Sequence, residues 1–131
     1  MEWLTINQII EAAEQGDLEA LDASILHWRQ ILESTPKELL EAVRRNRVSP
    51  TTSHCALCMR YLKRQGYCDG CPLKYYFGDC APPSFEKTEN NWRDASDGFD
   101  MKYMGGSCDS ANRKIQKLID QLEEVKMLMM Q

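Results

Sequence analysis

The chain has 131 residues, 43% of them hydrophobic and 27% charged. This excludes a fibrous or wholly disordered polypeptide and leaves no room for a large two-domain enzyme. The net charge of −4 is unevenly distributed, with balances of −7 over residues 1–43, +6 over residues 44–75 and −3 over residues 76–131. No run approaches the ~20 apolar residues that a membrane-spanning helix needs, and the opening Met1-Glu2-Trp3-Leu4-Thr5 carries an acid where a secretory leader would be basic. A soluble cytoplasmic protein without a membrane partner is therefore expected.

Thr5 and Gln8 have the three-residue spacing of a capping box, and Ile6, Ile9, Ile10 and Ala13 follow on one face, predicting a helix over residues 5–15. Gly16 interrupts the pattern, and Asp17 is expected to cap a second helix reaching residue 33. Leu18, Leu21, Ile25, Trp28 and Leu32 form its apolar stripe, with His27 read as structural or exposed. Thr35-Pro36-Lys37-Glu38 is a second capping box with proline at the first helical position, so a third helix runs to about Arg45 and is closed by Ser49-Pro50.

Five of the six cysteines lie within residues 55–80. Cys55-Ala-Leu-Cys58 and Cys68-Asp-Gly-Cys71 are two Cys-x-x-Cys pairs, and Cys80 follows. Paired thiolates at this spacing converge on one tetrahedral zinc ion, because each pair folds into a knuckle that aims both sulfurs at one point. Gly66 and Gly70 suit the turns of such a knuckle, and Pro72 fixes its exit. Cys80 is a substitute for Cys68 in the ligand set, while His54, beside Cys55, is the weaker alternative because adjacent residues ligate one ion awkwardly. An iron–sulfur cluster also takes four thiolates, whereas disulfides suit a secreted chain and redox chemistry a βαβ setting. The structural zinc ion is the expected cofactor, and its ligation would order residues 51–81, which contain few aliphatic side chains.

Arg60, Lys63 and Arg64 interleave with Tyr61 and Tyr67 around the knuckle and are candidate nucleic-acid contacts, since aromatic rings stack on bases while cations neutralise phosphates. The same tyrosines can instead form the small core of the module. Residues 82–106 read as a long polar loop, in which Trp92, Phe99 and Tyr103 are either anchors packed on the core or exposed contacts for a protein partner. Cys108, Ala111, Ile115, Leu118, Leu122, Val125 and Met129 then repeat at steps of three and four, with Ser107 or Asp109 as cap. This heptad helix over residues 107–131 packs either on the second helix of its own chain or in a homodimeric coiled coil, with Cys108 as a packed thiol.

The fold expected is mainly α: a helical region (1–48), an inserted four-cysteine knuckle or ribbon, with a short β-hairpin possible (49–81), a polar loop (82–106) and the heptad helix (107–131), all in one domain. Cys55-x-x-Cys58, Cys68-x-x-Cys71-Pro72-Leu73, Cys80, Trp92 and the helix beyond resemble a group of small, mostly uncharacterised bacteriophage proteins. The resemblance covers about residues 54–125 and implies a phage-encoded accessory protein acting inside the bacterial host. No glycine-rich phosphate cradle, nucleophile elbow or His-Glu-x-x-His helix accompanies it, and four cysteines would close a zinc site to catalysis. A non-enzymatic modulator or inhibitor of a host protein, such as a defence or transcription component, is expected. The alternative is a zinc-dependent nucleic-acid binder using residues 44–75.

Overall fold

The computed structural model describes residues 1–50, 54–62, 72 and 91–131. Among these the chain forms six helices: α1 (Ile6–Gln15), α2 (Asp17–Glu33), α3 (Pro36–Arg44), α4 (Ala56–Leu62), α5 (Asn91–Tyr103) and α6 (Cys108–Met129). The architecture is mainly α with a long C-terminal helix, as the periodicity predicts. Both capping boxes form: Gln8 N–H donates to Thr5 Oγ1 at 3.2 Å while Thr5 N–H donates to Gln8 Oε1 at 2.9 Å. Thr35 and Glu38 repeat the exchange at 3.1 and 2.9 Å. The Thr35 backbone N–H and, after it, the Thr35 side chain bond the Glu38 carboxyl and hold it below its ordinary range.

The other helix ends depart from the sequence reading. Gly16 caps α2 without a side-chain bond, and Asp17 is the first residue inside the helix; its carboxylate serves α4 instead. The third helix is closed earlier than Ser49-Pro50, by Asn46 in the left-handed region at φ 58°. That turn lets Arg47 N–H reach Ala42 O at 2.9 Å and Asn46 N–H reach Val43 O at 3.0 Å, satisfying carbonyls that the helix leaves open. Gly105 at φ 90° ends α5 the same way, with Gly106 N–H on Met101 O at 2.7 Å, and Ser107 then caps α6.

The expected loop over 82–106 is corrected by α5, which occupies residues 91–103. Trp92, Ala95, Phe99 and Lys102 recur at steps of three and four and are all buried, a helical stripe that the surrounding Asp, Asn and Gly disguise. α5 and α6 form the most extensive helix pair. Gly98 sets their separation, since a Cβ there would lie 2.7 Å from the backbone oxygen of Ala111.

α2 is the hub, packing on α1, α4 and α6. Trp28 lies fully buried at its centre, with the rings of His27 and Trp92 edge-on at 5.5 and 5.8 Å. The Trp28 indole N–H has no hydrogen-bond partner among the described residues, an omission that costs about 1–3 kcal/mol and that the surrounding apolar burial must offset. The heptad positions Ala111, Ile115, Leu118, Leu122 and Val125 are buried within the chain, against α5 and α2. The seam is thereby occupied from inside, the intrachain packing that is the first of the two readings. Arg29–Glu123 and Lys126–Asp22 ion pairs fasten the outer edges of α2 and α6.

Lys102 closes the far end of α2. It is 1% exposed, and its ammonium donates to Ile31 O at 2.9 Å, Leu32 O at 2.8 Å and Asn112 Oδ1 at 3.0 Å. All three protons are used, and the charge lies at the negative end of the helix dipole. Burial lowers its pKa, with Cys108 and Glu38 acting in the opposite direction.

Candidate metal centre

The first cysteine pair is built into the helical body. Cys55 stands at the start of α4, where its carbonyl accepts Met59 N–H at 2.9 Å, and Cys58 follows one turn on. α4 docks on α1 and α2, so both thiols are buried, Cys55 completely and Cys58 to within 4%. Both are reduced thiols and face one another closely enough for the Cys58 side chain to hydrogen-bond Cys55.

Ser24 reaches this pair from α2. Its Oγ lies 3.3 Å from Cys55 Sγ and accepts Leu57 N–H at 3.1 Å. Burial pushes the Cys55 thiol up, but bonds from the Cys58 side chain, Ser24 and the Cys58 and Leu57 amides outweigh it and hold the thiol below its ordinary value. A sulfur surrounded by donors is suited to existing as thiolate, the form that binds metal.

Two histidines, one of them next to Cys55 in the chain, are linked through Ser49. His27 is buried and its Nε2 lies 3.0 Å from Ser49 O; since a carbonyl only accepts, that nitrogen carries the proton. Ser49 Oγ lies 2.8 Å from His54 Nδ1. Burial lowers the His27 pKa to about 4, assisted by the charge of His54 and opposed by the Ser49 carbonyl. His54 is also lowered by burial, against a bond that its ring donates to the Asn46 carbonyl. His27 is thus a neutral core residue.

A third cluster fixes where α4 sits. The Asp17 carboxylate accepts from Arg60 Nε at 2.6 Å and from the Tyr61 hydroxyl, while Arg60 Nη1 donates to Ala13 O at 2.9 Å. Burial and the bond to Asp17 push the Tyr61 phenol up to about 12, and the same carboxylate raises Arg60. Arg60, expected as a phosphate contact, is engaged at the α1–α2 elbow, and Tyr61 is buried in the core.

The candidate ligands therefore divide. Cys55 and Cys58 come together; Cys68, Cys71 and Cys80 lie outside the described residues, as do Lys63 and Arg64. Among the described residues no three His, Cys, Asp or Glu side chains gather as a ligand set. The pair present fits half of a four-thiolate zinc shell in donor type, spacing and burial. Cys108 is remote in sequence, half-buried, and accepts from Asn112 Nδ2 at 3.6 Å.

The proposed partner anchors are corrected. Trp92 and Phe99 are 4% and 2% exposed; Trp92 Nε1 donates to Pro50 O at 3.4 Å, and Phe99 packs edge-on to half-buried Tyr103 at 5.5 Å. Their helical spacing was the signal that they are core. Ser24 and Asp17, which do the positioning, carry no sequence signature, because each acts on a residue more than thirty positions away. Comparison with known proteins finds no matching family model, no matching curated protein and no matching solved structure.

Proposed function

We propose that this chain is a non-enzymatic accessory protein of the bacteriophage type. It binds and modulates, most directly by inhibition, a protein of the bacterial host, through a surface that a structural zinc ion stabilises. Cys55, Cys58, Cys68 and Cys71 hold the ion, with Cys80 as substitute ligand. The observation that carries the reading is the buried Cys55–Cys58 pair, locked between α4 and α2 rather than presented to a substrate. Thiols so placed serve to join segments of chain, as metal-binding free energy becomes folding free energy.

Contact with the partner falls to α1 and α2, where Ile6, Ile10 and Leu26 are more than 40% exposed within the segment that carries the −7 balance. Such a surface selects a partner with apolar side chains ringed by Lys and Arg. A tagged chain incubated with nuclease-treated bacterial lysate should retain one stoichiometric host protein. Binding should be reconstituted from the two purified proteins, weaken with salt, and be lost with Ile10→Glu or Leu26→Glu. Failure of reconstitution, or indifference to both substitutions, refutes the proposal.

One observation favours the nucleic-acid reading: Arg44 and Arg47 are exposed at the end of α3. Against it, Arg60 is engaged with Asp17 and Arg45 pairs with Glu41 at 3.0 Å. Salt-sensitive gel shifts of DNA or RNA, abolished by Arg44→Glu with Arg47→Glu, would establish it in place of the first.

A further inference from the structure

The Ser24 hydroxyl has one proton and two acceptors beside it. Its oxygen lies 2.9 Å from Ala20 O and 3.3 Å from Cys55 Sγ, in a fully buried position, and it already accepts Leu57 N–H at 3.1 Å. With Cys55 as a thiol, every group is satisfied in one direction. The S–H donates to Ser24 Oγ, and Ser24 donates to Ala20 O.

A metal-bound sulfur has no proton to give. An oxygen lone pair facing that sulfur would then repel it, so the hydroxyl proton must turn from Ala20 to Cys55. Ala20 O loses little by this, because both residues lie within α2 and the carbonyl keeps its helical N–H bond. The Cys55 sulfur ends with a hydroxyl from α2 in addition to the Leu57 and Cys58 amides at the start of α4.

We infer that Ser24 is a positioning residue of the metal centre, orienting and stabilising the Cys55 thiolate by a hydrogen bond from the helical core. This inference rests on the zinc reading above and adds a physical link between the ion and α2. Outer-shell donors of this type fix ligand geometry, and their loss typically weakens metal binding 10–100-fold.

Cobalt(II) titration of the reduced full-length chain provides the test. Wild-type protein should develop sulfur-to-cobalt charge-transfer absorption and the visible bands of a tetrahedral site. Ser24→Ala should bind cobalt(II) roughly 10–100-fold more weakly, with the charge-transfer band moved to lower energy because an unbonded thiolate gives up electrons more readily. A purely structural serine would lower stability equally with and without cobalt(II), leaving affinity and band position unchanged; that result overturns the inference. Absence of these bands in the wild type overturns the zinc reading itself, and the role of Ser24 with it, whereas normal wild-type bands with an unaltered variant overturn the role of Ser24 alone.

A second measurement does not depend on the variant folding. In wild-type protein loaded with NMR-active cadmium, scalar correlation should connect the metal through Cys55 Sγ to the Ser24 hydroxyl proton as well as to the Leu57 and Cys58 amides. Amide correlations without the hydroxyl one refute the bond.

Discussion

Acidification should destabilise this protein through His27 before its carboxylates are fully protonated. The imidazole is buried between Trp28 and the Ser49 carbonyl, and its pKa falls from 6.5 to about 4. An unfolded chain takes up the proton near pH 6.5, whereas the folded chain resists until about pH 4, so stability drops as pH falls through that window and levels off below it. Integrating the proton linkage across the gap gives a loss of about 2.5 kcal/mol between pH 7 and pH 4.5. His27→Gln keeps a side-chain amide able to donate to Ser49 O but does not titrate. Denaturant unfolding at a series of pH values should therefore show the wild-type curve descending by about that amount relative to His27→Gln. Contributions from Glu38 and the other carboxylates cancel in the difference. Parallel curves would refute the reasoning, because they would mean that His27 is protonated equally in both states.

Gly98→Ala should be destabilising although alanine is the better helix former. The added methyl would meet Ala111 O at 2.7 Å, and overpacking of about 1–3 kcal/mol exceeds the propensity gain of up to about 1 kcal/mol; a raised urea midpoint would contradict this. Lys102→Met takes the ammonium from Leu32 O, from Asn112 and from Ile31 O, which keeps only the Ser34 hydroxyl, and should cost about 3 kcal/mol, so a change below about 0.5 kcal/mol in denaturant unfolding would show that the ammonium is dispensable. Chelation under reducing conditions should lower the thermal midpoint while leaving much of the helical circular dichroism. An unchanged melt after verified metal removal rejects the structural ion.

What the sequence discloses follows interaction range. Thr5–Gln8 and Thr35–Glu38 are satisfied within four residues, so both capping boxes and the helices they start are legible in the chain. Heptad spacing likewise predicts α6, and intrachain packing completes the picture. α5 is missed because Gly98 and the acids Asp94, Asp97 and Asp100 resemble loop composition, although the glycine is there for close helix contact and the acids lie away from the buried stripe. The Cys55–Cys58 pair is legible as a unit. Its anchoring by Ser24 and the engagement of Arg60 by Asp17 are not, since both arise only when α4 folds back across α2.

Because the C-terminal carbonyls of α2 are completed by a side chain about seventy residues downstream, the hub helix cannot reach its final form as it leaves the ribosome. The first three helices must wait, partly packed, until the hairpin of α5 and α6 has been synthesised. Synthesis order thus runs against assembly order, and a nascent chain halted before residue 102 should lack the rigid tryptophan environment of the finished protein.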